Sequence, residues 1–142
     1  MKEKIIGYTT GVFDLFHIGH LNILKRAKQL CDTLIVGVTV DELVYKRKNR
    51  IPVIPFNERC EIVEAIRYVD KVVPQKSMDK LEAWKRYNFD VMFVGGDWKG
   101  TDAWKVIENQ MESVGTEVIY FPYTKTTSST LINEYLNKVK RD

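Results

Sequence analysis

Short apolar runs and amphipathic stretches alternate along the whole chain. IIGYTT (5–10) reads as a first strand, and TLIVGVTV (33–40) is a β-rich run with almost no polar interruption, as expected of a strand buried on both faces. Between them, LNILKRAKQL (21–30) places Leu21, Leu24, Ala27 and Leu30 at helical spacing. Residues 41–56 read as a basic, proline-containing loop, and NERCEIVEAIRYV (57–69) as a helix capped by Asn57. KVVP (71–74) predicts a short strand ended by Pro74, and MDKLEAWKRY (78–87) a helix. DVMFVGG (90–96) is a strand running into glycines. TDAWKVIENQMESV (101–114) is a helix with Thr101 as its cap and Gly115 as its stop. TEVIYFP (116–122) is a fifth strand, and SSTLINEYLNKV (128–139) a last helix.

Strands alternating with helices predict a parallel sheet covered on both faces. Right-handed crossovers make this an α/β, Rossmann-like, doubly wound five-stranded parallel sheet, in one domain over 1–142. In such sheets ligands bind beyond the carboxyl ends of the strands. The loops after Thr10, Val40, Val94 and Phe121 are therefore where function is expected.

Composition narrows the class. With 44% hydrophobic and 29% charged residues the chain is an ordinary globular one. A net charge of +3 is too small to argue for nucleic acid, and the one basic cluster, YKRKNR (45–50), is short. Cys31 and Cys60 lack a metal-binding spacing and read as buried free thiols of a reducing compartment. MKEKIIGYTT is too short in apolar residues for a signal peptide and no segment spans a membrane, so the expected location is the cytoplasm.

The chain's two histidines, His17 and His20, both fall in FDLFHIGH (13–20), at the turn between the first strand and first helix. A helix start offers free N–H groups and partial positive charge, which suit phosphate. Gly19 lets an anion approach the backbone. Imidazoles at i and i+3 can donate to one phosphate chain from adjacent directions. The bland alternative is a pair of capping or half-buried histidines. Arg59 and Arg67, eight residues apart, are expected on one helix face, where surface salt bridges are the simplest role. A second hydroxyl-rich run, TKTTSSTLI (124–132), precedes the last helix and has the same anion-binding logic.

With these residues in view, the chain resembles the HxGH cytidylyltransferase family. GVFDLFHIGH (11–20) looks like its first signature, and IRYVDKV (66–72), GGDW (95–98) and TKTTSSTLI (124–132) fall where its later motifs do. The nearest branch by motif is the glycerol-3-phosphate cytidylyltransferases. The resemblance implies that an acceptor phosphate oxygen attacks the α-phosphorus of CTP and pyrophosphate leaves, with positioning and charge stabilisation as the protein's task. It implies that His17 and His20 contact the triphosphate, and that Gly11, Val12 and Phe13 pass the backbone close to the nucleotide. Asp14 either orients the turn or touches ligand. Lys46 and Lys48 are both candidates for a catalytic lysine, with Lys48 favoured. Arg67 would support the active site or a subunit contact. Gly95 and Asp97 would border the nucleotide, with Asp97 accepting from the base or ribose or holding a metal. Thr124, Ser128, Ser129 and Thr130 would bind the outer phosphates. Tyr123, Lys125 and Thr126 stand where the family has arginine, glutamate and glycine, and Gly96 where it often has an acid. The implied partners are CTP and a small phosphorylated alcohol, glycerol 3-phosphate first, then ethanolamine phosphate, choline phosphate or another polyol phosphate. Adenylyl transfer is the other chemistry within the superfamily. The implied cofactor is Mg2+ carried mainly by the nucleotide, without a dedicated metal cage, and the implied assembly a homodimer.

Overall fold

The computed structural model describes residues 4–122 and 129–141. β1 (Ile6–Gly11), β2 (Thr33–Thr39), β3 (Lys71–Gln75), β4 (Val91–Gly95) and β5 (Glu117–Phe121) form one sheet in the order β3-β2-β1-β4-β5. Every pairing is parallel. The chain winds outward from β1 to β3, then returns to the other side of β1 for β4 and β5. The order therefore reverses between β1 and β4, and in such sheets ligands bind near that point, beyond the carboxyl ends. This is the expected Rossmann-like, doubly wound sheet.

Alternation along the strands builds two cores. Leu34, Val36 and Val38 of β2 face one side with Phe93 and Phe121, under α1 (Ile18–Gln29) and α3 (Phe56–Glu64), which contribute Leu24, Ala27 and Val63. Tyr8, Ile35, Val73, Met92 and Val94 face the other side, under α4 (Lys80–Tyr87) and α5 (Asp102–Ser113). A strand covered on both faces has no polar side to display, which is why β2 reads as an unbroken apolar run.

Several boundaries differ from the sequence expectation. Residues 41–48 form a helix, α2 (Asp41–Lys48), where a loop is expected. Only Val44 of α2 is buried, so no apolar stripe announces it. Acidic Asp41 and Glu42 in its first turn and Lys46, Arg47 and Lys48 in its last complement the helix dipole instead. α3 begins at Phe56, and Asn57 is not its cap; the Phe56 amide donates to the Asp41 carboxylate at 3.3 Å. β3 continues through Pro74, which pairs with Val38. As an edge strand it bonds on one side only, so proline is tolerated. Thr101 does cap α5, its hydroxyl accepting from the Trp104 amide, and Gly115 follows the helix with φ of 76°. Cys31 and Cys60 are free and half-buried rather than fully buried, and burial raises both thiol pKa values.

Candidate active site

β1 ends at Gly11, and the chain turns sharply before α1. Phe13 and Leu15 take the left-handed conformation, with φ of 55° and 51°. Such values are costly for residues with a Cβ and persist where the surroundings impose them. Between them Asp14 accepts from the Val53 and Ile54 amides, both at 2.9 Å. The expected roles are to orient its own turn or to touch ligand; the bonds it makes instead hold the strap 49–55.

His17 is the N-cap of α1. Its Nδ1 accepts from the Gly19 amide at 3.0 Å, and the Nδ1 of His20 accepts from the His17 amide at 3.2 Å. The histidines are thus a capping pair as well as a candidate phosphate site, and the two roles are compatible. Each Nδ1 uses its lone pair on a backbone donor, so each ring carries its proton on Nε2, which is its remaining donor. The ring centroids lie 3.9 Å apart. Burial lowers both pKa values; that of His20 falls to about 4, with His17 adding to the effect and Asp14 opposing it. Both rings are therefore neutral donors at pH 7. Gly19 departs from expectation, because its amide is taken by His17 and is not free for an anion.

A cavity of about 210 Å³ lies against this turn, lined by Val12, Phe13, Asp14, His20, Lys48, Arg50, Ser129 and their neighbours. Lys48 faces it from the end of α2; its pKa is lowered by burial, then by Arg50 and Arg47. Lys46 lines a different depression with Glu42 and Lys76, so the two candidate lysines are separated. Ser129 opens α6 (Ser129–Arg141) and donates its hydroxyl to the Asp14 carbonyl at 2.6 Å, tying the last helix to the histidine turn. Thr130 is exposed on the same turn of helix. Gly11 is close to the ring of Phe13: a Cβ there would lie 3.0 Å from it. Gly95 borders open space at the end of β4. Asp97 is exposed in the short 3-10 turn Gly96–Trp98. Gly96 is pressed against β5, where a Cβ would meet the Phe121 carbonyl at 2.8 Å, so an acidic side chain has no room there. Tyr123, Thr124, Lys125 and Ser128 lie outside the described residues.

Arg67 is a correction. α3 ends at Glu64, so Arg59 and Arg67 do not share a helix face. Arg67 is exposed, bonds to the Tyr68 hydroxyl at 2.9 Å, and precedes β3 at the amino edge of the sheet, opposite the histidines. Arg59 is wholly buried beneath the site. Sequence reading also missed Arg50 and Asn133 as cavity residues. Arg50 was visible within the basic cluster, and Asn133 follows Ser129 by one helical turn. Lys80 gave no signal at all. It is buried at the start of α4, donates to the Thr10 hydroxyl at 3.3 Å at the end of β1, and lies 5.9 Å over the Trp104 ring. Burial and then Arg47 push its pKa down to about 8.

Comparison with known proteins adds the following. A family model described as cytidylyltransferase-like matches residues 8–135. The chain is 38% identical to a glycerol-3-phosphate cytidylyltransferase from Bacillus subtilis, covering 93% of this chain and 95% of that one. It is 45% identical to an FAD synthase from Pyrococcus horikoshii, covering 85% and 82%. Among solved structures, a lipopolysaccharide core biosynthesis protein from Thermoplasma volcanium superposes with a TM-score of 0.71 at 27% identity, covering 87% of this chain and 99% of that one.

Proposed function

This chain belongs to the cytidylyltransferase-like family, and from that premise we propose that it transfers CMP from CTP to the phosphate of a small phosphorylated alcohol, glycerol 3-phosphate first. The observation that carries nucleotidyl transfer is the capping pair itself. It sets two neutral imidazoles side by side, their centroids 3.9 Å apart, with His20 lining a cavity that also receives Lys48, Arg50 and Ser129. An acceptor phosphate oxygen attacks the α-phosphorus, the bond to the bridging oxygen breaks, and pyrophosphate carries the electron pair away. Neutral imidazole donors stabilise the charge on the transferring and leaving oxygens without needing to be deprotonated first. Lys48 and Arg50 add full charges on the same side. No nucleophilic side chain is needed, since a phosphate monoester is already anionic.

Among the described residues no cluster of three or more histidine, cysteine or acidic side chains is disposed to hold a metal. The cavity's donors suit phosphate oxygens rather than a cation. Magnesium carried by the triphosphate would supply charge neutralisation, and the protein's own groups would hold the nucleotide. Lys80, with Thr10, forms a second cationic point at the carboxyl edge; it is buried, so it adds positive potential there rather than touching the acceptor. The expected assembly is a homodimer, with exposed Arg67 at the amino edge available to a subunit contact.

A second reading is adenylyl transfer to a flavin phosphate, supported by the 45% identity to an FAD synthase. A matrix of CTP and ATP against glycerol 3-phosphate, choline phosphate, ethanolamine phosphate and flavin mononucleotide, followed by pyrophosphate release, separates the two. CTP with glycerol 3-phosphate should give the highest kcat/KM. Preference for ATP with the flavin would replace the cytidylyl reading by the second.

A further inference from the structure

Arg59 is a buried cation that the transfer reaction above does not use. No part of it reaches solvent, so it cannot touch a phosphate. Its Nε donates to the Ile54 carbonyl at 2.8 Å, its Nη1 to the Val12 carbonyl at 2.7 Å and the Thr39 carbonyl at 2.8 Å, and its Nη2 to the Asp41 carboxylate. These four partners come from four segments that meet at the cavity. Val12 leaves β1 just before the strained turn. Thr39 is the last residue of β2. Asp41 is the first residue of α2, whose last residue is Lys48. Ile54 belongs to the strap that carries Arg50 and Pro52 into the cavity wall.

The arrangement has a physical reason. Parallel strands that stop leave carbonyls at their carboxyl ends without a ladder partner, and buried carbonyls must be satisfied. One planar guanidinium reaches two neighbouring strand ends and still has N–H groups for the strap and for α2, which an ammonium cannot match in direction. The strap is held from both sides: Ile54 gives its carbonyl to Arg59 and its amide to Asp14. A buried ion pair is a weak source of stability compared with an apolar replacement, so its value here is geometric.

We propose that Arg59, paired with Asp41, is a positioning residue: it sets the distance of Lys48 and Arg50 from the histidine pair by joining α2 and the strap to the exits of β1 and β2. The proposal rests on the transfer reading for its kinetic consequence, and on geometry alone for its structural one.

Two variants test it, Arg59→Lys and Asp41→Asn, the second leaving Arg59 its three carbonyl bonds and so guarding against a failure to fold. The first readout is amide hydrogen exchange in the absence of nucleotide. Arg59→Lys, which loses the guanidinium bond to the Ile54 carbonyl, should speed exchange at Val53 and Ile54 by at least about tenfold while β1, β2 and β4 amides keep their protection. The second is kinetic. Asp41→Asn should lower kcat/KM by on the order of 10²-fold, as expected of misplaced charge-stabilising groups. Lys48→Ala should then cost much less in the Asp41→Asn background than in the unaltered protein, because the two act through one element. Unchanged exchange in the strap, or exchange that rises evenly across the sheet, overturns the proposal, as does full additivity with Lys48→Ala. Absence of turnover in the unaltered protein would count against the reaction and not against the positioning, which the exchange pattern alone then decides.

Discussion

Protonating His20 removes the lone pair that its Nδ1 offers to the His17 amide, and the start of α1 loses a cap with it. Burial holds the folded pKa of His20 at about 4 against an ordinary value of 6.5. The unfolded chain therefore takes up the proton first as pH falls, and the stability that the neutral ring contributes is complete above 6.5 and is lost progressively from 6.5 towards 4. Thermal melts across this range should show a falling Tm, with a shallower slope in His20→Asn. The same variant separates the two jobs of the ring. An asparagine Oδ1 can stand in for Nδ1 at the cap but supplies nothing at the Nε2 position. His20→Asn should keep stability within about 1 kcal/mol while lowering kcat about 10²–10³-fold. His20→Ala should lose both. A kcat for His20→Asn near that of the unaltered protein would remove Nε2 from the mechanism.

At the scale of elements, α2 decides which basic residues reach the cavity. Lys46 and Lys48 are two positions apart, roughly 200° around a helix, so they cannot face the same way. Lys48 and the cavity lie on one side, and Lys46 with Lys76 on the other. Lys48→Ala should raise the KM for nucleotide or lower kcat by on the order of 10²-fold, and Lys46→Ala should leave the nucleotide KM within a few-fold. The reverse order would move the triphosphate to the other depression. Read as a loop, YKRKNR leaves the two lysines equivalent; its helical geometry separates them. The helix escaped notice because it buries one residue, Val44, and periodicity reports only elements that bury a face. The longer helices α1 and α5 were legible for the opposite reason, and so was the end of α5 at Gly115.

For the whole molecule, packing at the amino end of the sheet lies away from the chemistry at its carboxyl end, and the two should respond separately. Gly7 sits in β1 between β2 and β4, where a Cβ would lie 2.6 Å from the Phe93 ring and 2.8 Å from the Cys31 sulfur. Gly7→Ala should destabilise by about 1–3 kcal/mol in chemical denaturation, as overpacked cores do, and leave the KM values unchanged. Among the described residues no helix is long and apolar enough to cross a membrane. The amino-acid sequence by itself determined the succession of the five strands and of the helices other than α2, the covering of both faces, and the pairing of both histidines at one helix start. These are local facts: burial periodicity, turn residues and neighbours at i and i+3 are written within short windows. Tertiary structure alone decided that Arg59 is buried while Arg67 is exposed at the far edge, that Lys80 meets Thr10 across 70 positions, and that Asp14 holds a strap 39 and 40 residues away. A side chain's partner across such distances depends on which segments the sheet brings together at its carboxyl edge. That depends on strand order, and strand order is set by the packing of the whole chain rather than by any stretch of it.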